Sequence, residues 1–255
     1  MTTRRIVNIT DCIDIAANEL RAAALRFAEF DPNVVVEPTV PILPAFSVIN
    51  ANFAVRLMAD AYPEGTVLWT TINAEKERPK NVIGRTENGL IFLGRNMGSF
   101  DWLTRDFGCA ELYDFSAQAA ASERFRSFEG KQTTAQIAAR AARGIPLADL
   151  GTPLDVGSIV RLKIPDGTIV HIDNFGMMKF TGDMGDVAEG DRFEVSVNGM
   201  TIEAVFGRRL MSFDSGTWVL FPGSSFGLYE LGCARSLGAV NLGTSVGDIL
   251  TWSRP

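Results

Sequence analysis

The sequence contains very little histidine and cysteine. Among its 255 residues there are one histidine, His171, and three cysteines, Cys12, Cys109 and Cys233. A single histidine excludes metal sites and catalytic mechanisms that need several histidines. Three cysteines without metal-like spacing argue against a disulfide scaffold or a zinc site. We therefore expect no metal, and we interpret His171, which lies in a strand pattern, as a structural or surface residue.

Clustered positive charge and long apolar runs are also missing. The formal net charge is −6, and no Lys/Arg cluster of the kind that binds nucleic acid is present. Arg4 and Arg5 are not followed by a long apolar run, because Asp11, Asp14 and Glu19 interrupt it. We expect a cytoplasmic protein without a nucleic-acid or membrane partner.

Two apolar stretches, far apart in the chain, each end in an aspartate. Residues 4–10 lead to Asp11, and residues 167–172 lead to Asp173. An acid at the carboxyl end of a buried strand lies where open α/β sheets bind ligands. Such a carboxylate can accept hydrogen bonds from ribose hydroxyls or hold an ammonium group. The two aspartates together indicate a nucleoside-like ligand held between two domains.

The first 148 residues have the pattern of an α/β domain with a mostly parallel sheet and flanking helices. Asp11 or Asp14 is placed to cap the first helix, and Asn88-Gly89 predicts a hairpin turn. The predicted strands are 4–9, 34–36, 66–71, 82–84 and 90–93, and the predicted helices are 14–30, 46–61, 99–107 and 132–143.

The pattern changes after this region. Residues 149–157 contain proline and aspartate with little periodicity, which predicts a linker. From residue 158 to residue 255, short apolar stretches alternate with turn signals such as Asn198-Gly199. This spacing is typical of an all-β, barrel-like C-terminal domain.

Five segments carry a resemblance to a known family. They are Ile9-Thr10-Asp11, Pro44-Ala45-Phe46-Ser47-Val48, Tyr62-Pro63-Glu64-Gly65-Thr66-Val67, Ile172-Asp173-Asn174-Phe175-Gly176, and Ser225 to Leu231 followed by Gly238-Ala239 and Val246-Gly247-Asp248. In order and spacing they resemble the S-adenosylmethionine (SAM) hydroxide adenosyltransferases and their fluorinase and chlorinase relatives.

The resemblance implies a homotrimer whose sites lie between the N-terminal domain of one subunit and the C-terminal domain of its neighbour. It implies in-line displacement at C5′ of SAM with L-methionine as the leaving group, and no cofactor beyond SAM as substrate. A sulfonium is already a good leaving group, so positioning and a dry pocket supply most of the catalysis.

The resemblance also implies a set of substrate-binding residues. Asp11 would bind the ribose, Asp173 the methionine ammonium and Phe175 the adenine, whereas their alternative roles are a helix cap, a turn aspartate and ordinary core. Phe46 would face the ribose or adenine, and Asn18 would reach the ligand carboxylate. The expected set is Asp11, Asn18, Phe46, Thr70, Asn73, Asp173, Phe175, Ser225, Glu230 and Ala239.

The sequence departs from the family on the nucleophile side. The water-activating Asp, Arg and His of the hydroxide enzymes correspond to Thr71, Arg78 and Glu129, which we take as the catalytic candidates. Glu129 can act as a base toward water or another nucleophile, with Arg78 setting its charge state. The alternatives are lyase-type cleavage of SAM with Glu129 as base, or a SAM- or nucleoside-binding protein without catalysis.

Overall fold

The computed structural model describes residues 3–73, 79–120 and 128–255. The chain divides into two compact units, Met1–Leu162 and Lys163–Pro255.

The first unit is built on an eight-stranded sheet. Strand β1 (Arg4–Thr10) has apolar residues that alternate between two cores, with Ile6 in one and Val7 and Ile9 in the other. The order is β2-β1-β4-β6-β5-β7-β8, with β3 also pairing with β1. The strands are β1 (Arg4–Thr10), β2 (Val34–Val36), β3 (Val40–Pro41), β4 (Val67–Thr71), β5 (Asn81–Arg85), β6 (Ile91–Arg95), β7 (Glu111–Asp114) and β8 (Thr152–Pro153).

Helices cover both faces of this sheet. Helices α1 and α5 pack on the face that carries Ile6 and Trp69, and α2 and α3 pack on the face that carries Val7 and Leu68. The helices are α1 (Asp14–Phe27), α2 (Val48–Ala61), α3 (Asp101–Phe107), α4 (Ser116–Ala120) and α5 (Ala135–Ala142); α5 continues a π-helical segment, Gly130–Thr134.

The sheet is mixed, so the expectation of a mostly parallel sheet is wrong. Strands β1, β2, β3, β4 and β6 pair in parallel, whereas β5 is antiparallel to both β6 and β7, and β7 is antiparallel to β8. The link between β5 and β6 is a tight turn closed by a hydrogen bond from Gly89 N to Thr86 O (3.0 Å). A turn this short cannot make the crossover that parallel strands need. The hairpin predicted at Asn88-Gly89 is confirmed.

Helix α1 is not capped as the sequence indicated. Its N-cap is Ile13, which makes no side-chain capping bond, and Asp14 lies in the left-handed region at φ 62°. Asp11 therefore does not cap α1, and its carboxylate is used elsewhere.

The second unit is a single curled sheet that forms a half-barrel, in the order β15-β11-β12-β13-β14-β10-β9. All pairs are antiparallel except β12 with β13. Phe180, Phe193 and Leu231 are among the residues that form its core. The elements are β9 (Ile169–Ile172), β10 (Met178–Phe180), β11 (Arg192–Val197), β12 (Met200–Phe206), β13 (Trp218–Pro222), β14 (Tyr229–Cys233), α6 (Gly238–Leu242) and β15 (Thr251–Ser253).

In the described ranges 3–73, 79–120 and 128–255, no helix is long and apolar enough to cross a membrane.

Candidate functional site

A row of polar residues crosses the first sheet where β1, β4 and β6 end. Thr10 pairs with Thr71, and Arg95 pairs with Asn81. Trp69 pairs with Leu93, so the same parallel register places Thr71 beside Arg95, two residues further along. Trp69 and Leu93 both face α1 and α5. Because side chains repeat every second residue, Thr10, Thr71, Arg95 and Asn81 face these helices as well.

Asp11 follows β1 and holds two loops together. One of its carboxylate oxygens, Oδ2, accepts hydrogen bonds from Phe46 N (3.0 Å) and Asn73 N (3.2 Å). The other oxygen, Oδ1, is buried and has no hydrogen-bond partner among the described residues. A buried acceptor without a partner costs free energy, and this oxygen is therefore suited to a donor supplied by a ligand.

Thr71 is held in place by hydrogen bonds from the adjacent strand β1. Asn8 donates from Nδ2 to Thr71 Oγ1 (3.3 Å) and to Trp69 O (3.2 Å), and Thr10 Oγ1 donates to Thr71 O (2.6 Å). These contacts hold Thr71 at the end of β4.

The π-helical segment approaches Thr71 closely. A Cβ atom on Gly130 would lie 2.7 Å from Thr71 Cγ2 and 3.3 Å from Leu20 Cδ2, so glycine is what permits the approach. Lys131 Nζ bonds to Glu19 Oε1 on α1 (2.6 Å), which fastens the segment from the other side. Single π-helical turns often occur at functional sites, and this one brings Glu129 toward the polar row.

The Glu129 carboxylate has a partner on each oxygen. Asn81 Nδ2 donates to Oε1 (2.7 Å), and an Arg95 guanidinium nitrogen donates to Oε2 (3.2 Å). Glu129 and Arg95 are both partly exposed. The arrangement is a carboxylate held by a cation and an amide beside Thr71, and such a group can accept a proton from a bound nucleophile.

Of the remaining expected residues of this unit, Phe46 and Asn73 contact Asp11 through their backbone N–H groups, whereas Thr70 and Asn18 bind elsewhere. Phe46 is 63% exposed, at φ 68°, next to Asp11. Asn73 is exposed, and its side chain lies 4.0 Å from Cys12 Sγ. Thr70 is buried on the opposite face from Thr71, with Oγ1 3.4 Å from Leu93 O. Asn18 is exposed and donates to Asp14 O within α1 (3.2 Å).

Arg78, the third catalytic candidate, lies outside the described residues.

The thiol next to Asp11 is poorly suited to be a nucleophile. Burial raises the pKa of Cys12 above its usual value of 9.0, and the neighbouring Asp11 carboxylate raises it further. The thiol is therefore protonated at neutral pH, and the reactive species is the thiolate. This environment is that of a packing residue rather than a nucleophile.

In the second unit, Asp173 organises a tight turn in a manner similar to Asp11. Its Oδ1 accepts hydrogen bonds from Phe175 N and Met177 N (both 2.9 Å), and Oδ2 makes no hydrogen bond to the described residues. Phe175 is 59% exposed. Ala239 N, at the start of α6, donates to Gly176 O (3.0 Å). The structure thus brings Asp173, Phe175 and Ala239 together.

Glu230 is engaged in a buried ion pair. Its carboxylate bonds to Lys179 Nζ and accepts a hydrogen bond from Ser224 N (3.3 Å). Ser225 follows in the same turn and is buried. The contacts place Glu230 beneath the turn that carries Ser225.

His171 on β9 is paired with Lys179 on the neighbouring strand β10. Burial lowers the pKa of His171 below 6.5, and the Lys179 ammonium lowers it further, so the ring is neutral at neutral pH.

Sequence reasoning missed Asn8, Asn81, Arg95 and Lys179. Asn8 could have been found, because a polar residue within the apolar stretch Ile6-Val7-Asn8-Ile9 is unusual. Asn81, Arg95 and Lys179 depend on cross-strand register, which no local pattern reveals. In the described part of the chain, no group of three or more His, Cys, Asp or Glu side chains is arranged to hold a metal.

Comparisons with known proteins connect this site to one family. Residues 6–151 match the family model described as the SAM hydroxide adenosyltransferase N-terminal domain. No curated protein matches the chain.

Two solved structures share the fold. One is an uncharacterized conserved protein from Thermotoga maritima, with a TM-score of 0.82 and 19% identity over 97% of this chain and 100% of that one. The other is a conserved hypothetical protein from Thermus thermophilus, with a TM-score of 0.75 and 21% identity over 98% of this chain and 100% of that one. At these identities the likeness concerns the fold alone.

Proposed function

The chain belongs to the SAM hydroxide adenosyltransferase family, and from this premise we propose that it is an enzyme that displaces L-methionine from C5′ of SAM. Water is the nucleophile that the site supports best, and the products are then adenosine and L-methionine. The observation that carries the proposal is the shared strand edge. Asp11, with its unpartnered oxygen, follows β1, and Thr71 ends the adjacent parallel strand β4, where Gly130, the residue after Glu129, packs against it.

Asp11 is the proposed ribose-binding group. Its Oδ2 is occupied by two backbone N–H groups, and its Oδ1 has no partner in the described residues. A carboxylate oxygen in this state accepts hydroxyl hydrogen bonds strongly, because the acceptor is charged. Phe46, whose backbone N–H binds the same carboxylate, presents its ring to solvent beside the ribose position. We propose that this ring packs on the nucleoside.

Glu129 is the proposed base. A water oxygen attacks C5′ in line, the C5′–S bond breaks, and its electron pair stays on sulfur and neutralises the sulfonium. Glu129 accepts the proton that the water loses and passes it to solvent, so the step yields adenosine, L-methionine and one proton. General-base catalysis of this kind contributes about 10²- to 10⁴-fold in rate. Thr71 Oγ is proposed to orient the water.

The second unit supplies the proposed methionine contacts. Asp173 Oδ2, which makes no hydrogen bond to the described residues, is the proposed partner of the substrate ammonium. Phe175 is the proposed adenine contact, with Ser225 near the amino-acid part. The homotrimer, and a site shared by adjacent subunits, are parts of this proposal that rest on the resemblance.

Product identification tests the proposal. The purified protein is incubated with SAM, with and without chloride, and the products are identified by mass. Adenosine plus methionine supports displacement by water, and a chlorinated nucleoside indicates a halide nucleophile. Methylthioadenosine indicates lyase-type cleavage, which would contradict displacement at C5′. Absence of product, together with a thermal shift on adding SAM, would favour a binding protein without catalysis.

A further inference from the structure

We infer that Arg95 and Asn81 are positioning residues that hold the Glu129 carboxylate in its working orientation. Neither residue belongs to the catalytic set that the sequence indicated. The inference rests on the proposed function, since it assigns these residues to the step in which Glu129 accepts a proton.

The two residues are direct neighbours on adjacent strands. Asn81 is the first residue of β5 and Arg95 is the last residue of β6, and they are paired in the antiparallel ladder. Side chains of directly paired residues share a face and lie close to each other. The ladder therefore presents an amide and a guanidinium side by side, next to Thr71 on β4.

Their donors fix the carboxylate at both oxygens. Asn81 Nδ2 binds Oε1 at 2.7 Å, and Arg95 binds Oε2 at 3.2 Å. With both oxygens held, the carboxylate cannot rotate about its terminal torsion without losing a hydrogen bond. A base held within a narrow range of orientation retains the advantage of proximity, which is lost when the group is misplaced by about 1 Å.

The backbone next to Glu129 is fixed as well. Gly130 packs against Thr71 and Leu20 so closely that a Cβ atom would be 2.7 Å from Thr71 Cγ2. Lys131 is tied to Glu19 on α1. The carboxylate is thus restrained through its own oxygens and through its main chain. Arg95 and Asn81 supply the restraint that acts on the reacting atoms.

An alternative is that the ion pair only fastens the π-helical segment to the sheet. A structural role of that kind would lower the melting temperature and the activity together. A positioning role lowers kcat while the KM for SAM stays unchanged, because SAM is held by other residues. The conservative variant Arg95→Lys, which keeps the cation, should then recover activity that Arg95→Met loses.

The test compares Arg95→Met, Arg95→Lys and Asn81→Leu with wild type for kcat, KM and melting temperature. Arg85→Met is a matched control, because Arg85 is also a strand arginine in an ion pair, with Glu111 at 2.8 Å. We expect Arg95→Met to lower kcat roughly 10-fold, a part of the ~10²- to 10⁴-fold that a base contributes. Arg95→Lys should recover most of this loss, Asn81→Leu should lower kcat with KM unchanged, and Arg85→Met should leave kcat unchanged.

Testing Arg95→Met in a protein that lacks the Glu129 carboxylate distinguishes positioning of that carboxylate from any other effect of Arg95 on kcat. In Glu129→Gln, the further change Arg95→Met should have no effect on kcat, because the group that it positions is gone. An additional loss in that background would overturn the inference, as would equal activity of Arg95→Met and wild type.

Failure of the proposed function has a different signature. If wild type itself forms no adenosine and methionine, displacement at C5′ by water is wrong, and the assignment of Arg95 to that step falls with it. The contact between Arg95 and Glu129 is then decided by melting temperatures. The two single changes and the double change should be non-additive if the pair exists, and strict additivity would refute it.

Discussion

Replacing Asp11 with asparagine should remove one acceptor atom and leave the surrounding loops in place. In the structure, Oδ2 accepts hydrogen bonds from Phe46 N and Asn73 N, whereas Oδ1 has no partner among the described residues. In the Asp11→Asn variant, the new amide oxygen can take the Oδ2 position and keep both backbone donors. The amide nitrogen then occupies the Oδ1 position, where it donates and no longer accepts.

The expected magnitude follows from the kind of hydrogen bond that is lost. A hydrogen bond to a charged group contributes about 1.5–3 kcal/mol. Since each ~1.4 kcal/mol corresponds to a factor of ten in affinity, Asp11→Asn should weaken SAM binding roughly 10- to 150-fold. Isothermal titration calorimetry measures this dissociation constant when both proteins also carry Glu129→Gln, which slows the turnover of SAM. The melting temperature of the free protein should change little, because both backbone contacts are retained.

Two further variants make the result specific. Asp31→Asn is a matched control, because Asp31 Oδ1 likewise accepts from its own loop, at Asn33 N and Asn33 Nδ2 (both 2.9 Å). It should bind SAM as wild type does. Asp11→Ala should weaken binding and also lower the melting temperature, since two backbone donors lose their partner. Wild-type affinity in Asp11→Asn would refute the ribose assignment.

Three other changes probe the structure around the sites. Lys179→Met leaves Glu230 buried without its cation and should lower the free energy of unfolding, measured by urea denaturation, by about 3–5 kcal/mol. Replacing both partners with apolar residues should be nearly neutral, and an equal loss in both variants would contradict this. Because burial lowers the pKa of His171 below 6.5, the unfolded chain binds the proton more readily than the folded protein does. The free energy of unfolding should therefore keep the full contribution of the neutral ring above pH 6.5 and lose it as the pH falls through the lowered pKa of the folded protein. Urea unfolding at several pH values should show this fall, and His171→Gln should reduce it. Gly130→Ala places a Cβ atom 2.7 Å from Thr71 Cγ2. Overpacking should cost about 1–3 kcal/mol, more than the gain of up to ~1 kcal/mol in helix propensity, so a melting curve should show net destabilisation and kcat should fall. An unchanged kcat would argue against the tight approach of Gly130 to Thr71.

Much of the fold of the first unit follows from local pattern. The apolar stretch within residues 4–9 predicts β1, and Asn88-Gly89 predicts the hairpin that the structure has. The antiparallel strands β7 and β8 carry no comparable signal, because Glu111–Asp114 and Thr152–Pro153 are short and weakly apolar. The sequence therefore predicts a mostly parallel sheet, although three of its seven strand pairings, from the hairpin onward, are antiparallel.

The candidate site likewise contains residues that the local sequence predicts and residues that only the folded arrangement reveals. Asp11 was visible because it ends an apolar strand, and strand ends in α/β sheets are where ligands bind. Arg95 and Asn81 were not visible, because they meet Glu129 only through the register of β5 with β6 and the placement of the π-helical segment. Tertiary arrangement of this kind has no signature in the spacing of residues along the chain.

The central claim is that water displaces methionine at C5′, and a single-turnover reaction in ¹⁸O-enriched water tests it most directly. SAM is mixed with excess protein, and the nucleoside and amino-acid products are separated and weighed by mass spectrometry. We expect L-methionine and adenosine, with the heavy isotope at O5′ of the adenosine. Methylthioadenosine, or a nucleoside product that carries no ¹⁸O, would contradict the account.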